Sequence, residues 1–181
     1  MSFEFKNTEI EKVILIKPKI FEDHRGFFLE AYNKNEFKRA GIEGEFLQEN
    51  HSKSIKGVIR GIHFQEGEHS QAKLLRCIRG EILDVAVDLR KDSPTFGKYV
   101  SRILSEKNKY LLYIPKGFGH GFASLSDNVE IIYKIDNFYC PSSEKGIIWN
   151  DPTININWPF NNPILSEKDK NWKTLKETIL I

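Results

Sequence analysis

Short apolar runs separated by turn residues recur along the chain, and their lengths are typical of β-strands. Eight runs rich in Ile, Val, Phe and Tyr cover residues 13–18, 26–32, 57–64, 73–78, 81–89, 99–104, 110–115 and 129–135. Turn-forming residues lie between them, as in Asp92-Ser93-Pro94. Many short strands at this spacing predict an all-β sandwich or barrel.

Two segments have helical patterns instead. Asn33 can cap a helix and Gly41 can end it, which predicts a short helix over residues 34–40. Ser166 begins a second helical segment, and we expect it to run as a C-terminal tail through Leu175.

Composition and charge narrow the classes of function. The 27 Lys and Arg residues nearly balance the 25 Asp and Glu residues, so the basic excess of a nucleic-acid-binding protein is missing. No apolar run approaches the ~20 residues of a membrane-spanning helix, and no segment resembles a signal peptide. The two cysteines, Cys77 and Cys140, lack disulfide-like or metal-like spacing. We therefore expect one cytoplasmic domain over residues 1–181, with free thiols and neither nucleic acid nor membrane as a partner.

The segment VIRGIHFQ, residues 58–65, combines a strand pattern with residues that are unusual in a buried strand. Arg60 and His63 lie among apolar residues, with Gly61 between them. A regular strand would direct Arg60 and His63 to opposite faces because successive side chains alternate. If both serve one pocket, the strand needs a bulge, which Gly61 would permit.

The segment PKGFGH, residues 115–120, fits the pattern P-x-G-x-x-H and resembles the second half-motif of the cupin family. That resemblance implies a double-stranded β-helix, or jelly roll, whose barrel mouth holds a ligand. Metal-binding cupins carry H-x-H in the first half-motif, whereas Gln65 occupies the second of these positions here. Glutamine is a poor ligand for the transition metals of such sites, so the sequence favours a pocket without metal. A metal held by His63, His120 and a carboxylate such as Glu66 is the alternative.

Polar residues of these strands could carry out proton transfer next to a carbonyl group. His63 would act as the base, since the ordinary pKa of histidine lies near neutral pH. Lys73 would stabilise the enolate oxygen, and Tyr133 would deliver a proton to the opposite face and so invert the stereocentre. Arg25 and Arg60 would bind an anionic group such as a diphosphate.

Longer segments extend the comparison over most of the chain: DHRGFFLEAY (23–32), LQENHS (47–52), GVIRGIHFQ (57–65), AKLLRCIRGEILDVAVDLRKDSPTFG (72–97), IPKGFGHGFASLSD (114–127), GIIWNDP (146–152), INWP (156–159) and LSEKDKNW (165–172). In this order they resemble the dTDP-4-dehydrorhamnose 3,5-epimerase family. The members of that family are metal-free cupins that invert the centres flanking the C4 ketone of a nucleotide-linked sugar.

The resemblance implies a role for each matching residue. His63 matches the general base, and Asp169 matches the carboxylate that orients it. Lys73 matches the lysine at the enolate, and Tyr133 matches the acid on the opposite face. Substrate contacts are implied for the remaining matches: Arg25, Phe28, Glu30, Gln48, Asn50, Arg60, His120, Tyr139 and Glu144. The family also implies that no cofactor is needed and that residues 25–30 reach the pocket of the neighbouring subunit in a homodimer.

Structural alternatives exist for several of these residues. Asp169 could serve only in a capping box with Ser166, Tyr133 could be a core tyrosine, and Lys73 could be a solvated strand end. Asp84 and Asp88 share one face of a strand, so we expect one of them to point into the pocket, without a role assigned to it.

Departures from the family pattern leave the substrate open. Ala72 stands where the family usually has glycine, and residues 135–138 differ from the usual segment. The same chemistry on a GDP- or CDP-linked 4-keto heptose, or at C3 alone, is therefore an alternative. A metal-dependent cupin oxygenase or isomerase and a non-catalytic sugar-nucleotide-binding protein are alternatives of other classes.

Overall fold

The computed structural model describes residues 2–179 and is mainly β. The strands are β1 (Phe3–Asn7), β2 (Ile14–Pro18), β3 (Ile20–Asp23), β4 (Gly26–Leu29), β5 (Gln48–Ser54), β6 (Ile59–Gln65), β7 (Lys73–Arg79), β8 (Glu81–Asp88), β9 (Tyr99–Ser105), β10 (Leu111–Ile114), β11 (Phe118–Ser124), β12 (Val129–Ile135) and β13 (Glu144–Gly146). The helices are α1 (Lys34–Arg39), α2 (Glu167–Lys170) and α3 (Leu175–Ile179), with one-turn 3-10 helices at Gly67–His69 and Pro141–Ser143.

Two antiparallel sheets pack against each other as a jelly roll. The larger sheet has the strand order β1-β2-β10-β7-β12-β5, and the smaller has the order β13-β6-β11-β8-β9. Leu75 and Leu112 of the larger sheet pack with Ile82 and Phe122 of the smaller in one buried cluster. Burying such side chains contributes roughly 1.5–3 kcal/mol each, so the apolar alternation determines which face of each strand turns inward. The predicted jelly-roll class is confirmed.

Each of the eight apolar runs contains a strand, but β1, β3, β5, β11 and β13 were not predicted. Strand β5 is polar on both faces because it is an edge strand of the larger sheet. Strand β11 is fully buried, and its glycines are required by close packing against β6. A Cβ atom at Gly121 would lie 2.8 Å from the backbone oxygen of Arg60.

The predicted helices are present, although the C-terminal one is interrupted. The Asn33 side chain accepts hydrogen bonds from two backbone N–H groups at the start of α1, as a cap should. In the tail, α2 and α3 are separated by residues 171–174. Lys173 forms a β-bridge with Ile147, and its carbonyl oxygen accepts a hydrogen bond from Ile148, which holds the backbone extended there. Over residues 2–179, no helix has the length and apolar character needed to cross a bilayer.

Strands β3 and β4 form a separate two-stranded hairpin, which we call the arm. Three of its phenylalanines are exposed: Phe21 by 51%, Phe27 by 57% and Phe28 by 68%. Such a cluster of large apolar side chains at the surface is typical of an interaction site.

Candidate active site

A cavity of about 310 Å³ opens between the two sheets and collects residues from strands that are far apart in sequence. It is lined by Gln48, Asn50, His63, Phe64, Gln65, Gln71, Lys73, Tyr133, Ile135, Tyr139 and Glu144. The register of β12 explains part of this set, because Tyr133 lies opposite Asn50 and Ile135 lies between Gln48 and Lys73. Seven of the residues predicted from the sequence are therefore brought together: His63, Lys73, Tyr133, Gln48, Asn50, Tyr139 and Glu144.

His63 reaches the cavity because strand β6 is irregular. In the pairing of β11 with β6, His120 lies opposite His63 and Phe122 lies opposite Arg60. The two paired residues are two positions apart in β11 but three positions apart in β6. The extra residue forms a bulge, as expected around Gly61, which has φ of 131°. A Cβ atom at Gly61 would lie 2.5 Å from the Cα atom of Gly121, so only glycine fits here.

His63 is paired with Asp169 on α2. The His63 Nε2 and Asp169 Oδ1 atoms are 2.5 Å apart, and the Asp169 side chain is only 4% exposed. The indole of Trp172 also donates to this carboxylate, at 3.3 Å. Ser166 caps α2 by accepting a hydrogen bond from the backbone N–H of Asp169, which leaves the carboxylate free for His63. The capping position and the contact with His63 are thus compatible.

The surroundings of Asp169 favour its ionised form. Burial raises the pKa of Asp169, but the interaction with His63 and the hydrogen bonds with Ser166 and Trp172 together outweigh burial and hold that pKa below its ordinary value. The carboxylate therefore stays ionised at neutral pH, where it orients the imidazole and stabilises a positive charge on it.

Lys73 and Tyr133 complete the cavity from the larger sheet. Burial lowers the pKa of Lys73 to about 8, and the negative charges of Asp84 and Glu144 limit this decrease. Burial raises the pKa of Tyr133, with Glu144 acting in the same direction and the nearby Arg60 guanidinium acting against it. At neutral pH the tyrosine is thus a protonated donor, and the lysine is a cation that is close to losing its charge.

Behind the cavity lies a second imidazole–carboxylate pair, formed by His120 and Asp84. The His120 Nε2 and Asp84 Oδ1 atoms are 2.7 Å apart, and Asp84 is completely buried. Burial lowers the pKa of His120, whereas the adjacent Asp84 carboxylate raises it. The expectation that one acidic residue of β8 points inward is met by Asp84, whereas Asp88 binds Arg90 in the loop that follows β8.

The family model described as dTDP-4-dehydrorhamnose 3,5-epimerase matches residues 7–177. The chain belongs to the dTDP-4-dehydrorhamnose 3,5-epimerase family. A curated dTDP-4-dehydrorhamnose 3,5-epimerase from Shigella flexneri is 55% identical over 165 residues, which is 91% of each chain. A dTDP-4-dehydrorhamnose 3-epimerase from Streptomyces niveus is 39% identical and covers 93% of this chain and 82% of its own. The protein is accordingly an enzyme of the sugar-nucleotide epimerase class.

Solved structures of the epimerase family share the fold. The crystal structure of dTDP-6-deoxy-D-glucose-3,5-epimerase from Legionella pneumophila, in complex with dTDP-4-keto-L-rhamnose, matches with a TM-score of 0.93. Its sequence is 44% identical, and the match covers 96% of this chain and 93% of that chain.

Three of the residues matched to the epimerase family lie on or beside the arm and do not reach the cavity of their own chain. Arg25 forms an ion pair with Asp23 at 2.6 Å and is largely exposed. Phe28 is exposed, and Glu30 accepts a hydrogen bond from Asn33 at 2.8 Å. Arg60 is exposed near the cavity, where its guanidinium donates to Ser54 and to the backbone oxygen of Lys53.

Several residues of the site were not assigned from the sequence. Gln71 lines the cavity. Lys168 of α2 forms an ion pair with Glu144. The Glu144 carboxylate also accepts a hydrogen bond from the Tyr139 hydroxyl at 2.5 Å. The position of Lys168 beside Asp169 was the only sequence signal for its placement.

A larger cavity of about 770 Å³ adjoins the first and shares Phe64, Gln65 and Gln71 with it, but its lining lacks His63, Lys73 and Tyr133.

The residues at the cupin metal positions are engaged with protein partners. His63 contacts Asp169, His120 contacts Asp84, and the Gln65 amide is turned to the backbone of Cys140. Within residues 2–179, no group of three or more His, Cys, Asp or Glu side chains is arranged to hold a metal ion.

Replacing Asp84 with asparagine should move the alkaline limb of the activity profile to lower pH. The wild-type kcat/KM should fall as pH rises through about 8, where Lys73 loses its charge. The Asp84 carboxylate raises the pKa of Lys73, so its removal lowers that pKa, and the charge is lost at a lower pH. The measurement is kcat/KM against pH, with a thermal melt to verify folding.

Asp88→Asn is the matched control, since Asp88 is equally buried on the same strand but pairs with Arg90. This variant should keep the wild-type pH dependence. An unchanged alkaline limb in Asp84→Asn would show that Asp84 does not tune Lys73.

Proposed function

We propose that the chain, acting as one domain, inverts C3 and C5 of a dTDP-linked 4-keto-6-deoxy sugar by proton transfer through enolate intermediates. The observation that carries this proposal is the His63–Asp169 dyad, which shares one cavity with Lys73 and Tyr133. A base, a cation and a protonated acid are what inversion next to a ketone requires.

His63 removes the proton from the carbon next to the C4 ketone. Its Nε2 is occupied by Asp169, so the neutral imidazole that donates to this carboxylate has Nδ1 as its basic nitrogen. The electron pair of the broken C–H bond forms a carbon–carbon double bond, and the negative charge moves to the ketone oxygen. Lys73 stabilises that charge, a type of contribution typically worth about 3–4 kcal/mol for one donor.

Tyr133 then protonates the same carbon from the other side. His63 belongs to the smaller sheet and Tyr133 to the larger, so the two groups face the cavity from opposing walls. The Tyr133 hydroxyl loses its proton to the enolate carbon, the ketone re-forms, and the stereocentre is inverted. Solvent later returns a proton to Tyr133 and removes one from His63.

The remaining cavity residues suit the nucleotide and the sugar. Tyr139 is about half exposed at the cavity mouth, where its aromatic ring can contact the nucleobase. Its hydroxyl donates a hydrogen bond to Glu144. Gln48 and Asn50 offer amide groups along β5. Arg60 lies close enough to influence the pKa of Tyr133, which supports a role in binding the diphosphate.

We further propose a homodimer in which the arm crosses to the partner's cavity. A phenylalanine side chain buries about 150–250 Å² when it is covered, so Phe21, Phe27 and Phe28 together favour a protein contact. Arg25, carried on the same hairpin, would then add a cation to the diphosphate site of the partner subunit.

Solvent deuterium tests the chemistry directly. Incubation with dTDP-4-keto-6-deoxyglucose in D₂O should label both C3 and C5, as measured by NMR or mass spectrometry. His63→Ala should abolish the labelling because it removes the proposed base. Absence of label in the wild type with every dTDP-, GDP- and CDP-linked 4-keto sugar would refute the epimerase mechanism. Label at C3 alone would refute inversion at both centres.

Subunit complementation tests the exchange of arms. Arg25→Ala and His63→Ala should each be strongly impaired as homodimers. In a mixed dimer, the Arg25→Ala subunit keeps His63 in its own cavity and receives the intact arm of the His63→Ala subunit. One of the two sites therefore has both residues, and the other has neither. Co-expression with two different affinity tags followed by tandem purification should therefore restore about half of the wild-type activity. A mixed dimer as inactive as its parents would contradict the crossing, whereas a mixture of two His63→Ala subunits is the inactive control.

A further inference from the structure

Gln65 uses both ends of its amide group to hold one residue of a loop. Its Nε2 donates to the carbonyl oxygen of Cys140 at 2.9 Å, and the Cys140 N–H donates to its Oε1 at 2.9 Å. Gln65 is buried, so neither bond is readily replaced by water. Two antiparallel bonds to one peptide backbone determine both the distance and the orientation of the loop relative to β6.

The loop held in this way carries two of the cavity residues. Tyr139 directly precedes Cys140, and Glu144 lies opposite Gln65 in the pairing of β13 with β6. The Tyr139 hydroxyl donates to Glu144 at 2.5 Å, which joins the two side chains. Since Tyr139 is 49% exposed, packing alone cannot fix the position of its ring. The placement of the ring therefore depends on the hydrogen bond to Glu144 and on how firmly the backbone at Cys140 is held.

Apart from the ion pair between Glu144 and Lys168, the other side-chain attachments of this loop are weaker or more distant from Tyr139. Gln71 donates a single hydrogen bond to the carbonyl oxygen of Asn137 at 3.0 Å. The backbone N–H of Tyr139 donates to Gln48 at 3.4 Å, near the limit for a hydrogen bond. Of the side chains described, Gln65 is the one that makes paired bonds next to Tyr139.

We propose that Gln65 is a positioning residue that sets the affinity for the nucleotide by holding Tyr139 and Glu144 at the cavity mouth. This inference rests on the proposed function, in which Tyr139 and Glu144 contact the substrate. A loop held in its binding conformation loses less conformational entropy when the ligand binds, so release of the loop weakens binding. Proton transfer at His63 and Tyr133 involves other side chains and should continue in the bound complex.

Gln65→Leu tests this inference, since leucine fills a similar volume but forms neither bond to Cys140. The KM for the 4-keto sugar nucleotide and the Kd for dTDP should both rise about tenfold, while kcat should change by no more than about twofold. Calorimetry with dTDP alone gives the Kd, and a thermal melt verifies that the variant is folded. Asn108→Leu is the control, because it removes an amide side chain that holds the turn after β9, outside the cavity lining, where it donates to the carbonyl oxygen of Ile103 at 2.9 Å, and it should leave the Kd unchanged.

A double-mutant cycle identifies the route of the effect. If Gln65 acts through Tyr139, then Gln65→Leu in a Tyr139→Ala background should raise the Kd for dTDP little further. Independent effects, in which the two increases in Kd multiply, would overturn the inference. So would an unchanged Kd in Gln65→Leu, a loss confined to kcat, or an equal effect of Asn108→Leu.

The wild type serves to separate this inference from the proposed function. Missing deuterium incorporation in the wild type would count against the proposed function. A wild-type Kd for dTDP in the Gln65→Leu variant would count against the role of Gln65, whatever the exchange experiment shows.

Discussion

The site depends on the bulge where β6 passes Gly61. Without the extra residue, Arg60 and His63 would point to opposite faces of the strand, and the Arg60 guanidinium could not lie beside the cavity that His63 lines. The bulge is possible because two glycines meet, since a side chain at Gly61 would overlap the backbone of Gly121. From this point the strand presents His63 to the cavity and Gln65 to the loop at Cys140. One backbone irregularity thus positions both the proposed base and the side chain that we propose anchors the loop at the cavity mouth.

Ionisable groups can occupy the barrel interior because each has a partner that hydrogen-bonds to it or carries the opposite charge. His63 pairs with Asp169, His120 pairs with Asp84, and the charges of Asp84 and Glu144 act on Lys73. An isolated charge in such surroundings would be strongly destabilising, so removal of one member leaves its partner uncompensated. The same burial brings the pKa of Lys73 to about 8 and keeps Tyr133 protonated. Stability and reactivity in this cavity therefore follow from one arrangement of charges.

Local patterns predicted much of the fold and part of the site. Apolar runs located eight strands, and the unusual residues within them, His63 and Tyr133, proved to lie in one cavity. The pattern failed where packing rather than polarity decides the structure. Strand β5 is polar on one face because Gln48 and Asn50 line the cavity and on the other because it is exposed at the sheet edge. Strand β11 resembles a turn because its glycines pack against β6.

Contacts between distant residues were harder to predict. The contact of Gln65 with Cys140 joins residues 75 positions apart, and that of His63 with Asp169 joins residues 106 positions apart. No local pattern encodes such pairs. The Asp169 partner was predicted through the family resemblance, whereas the role of Gln65 required the structure. That residues 25–30 reach a partner subunit stays a prediction from the resemblance, and the exposed phenylalanines of the arm are a physical argument for it.

The central claim is that His63 and Tyr133 act on the sugar from opposite walls, and Tyr133→Phe tests it most directly. This substitution removes one hydroxyl group and retains the aromatic ring. With dTDP-4-keto-6-deoxyglucose in D₂O, His63 should still exchange the C3 proton, so deuterium should enter with the original configuration. Formation of the inverted sugar should fall by about 10²–10⁴-fold. Inversion at the wild-type rate in Tyr133→Phe would contradict the mechanism.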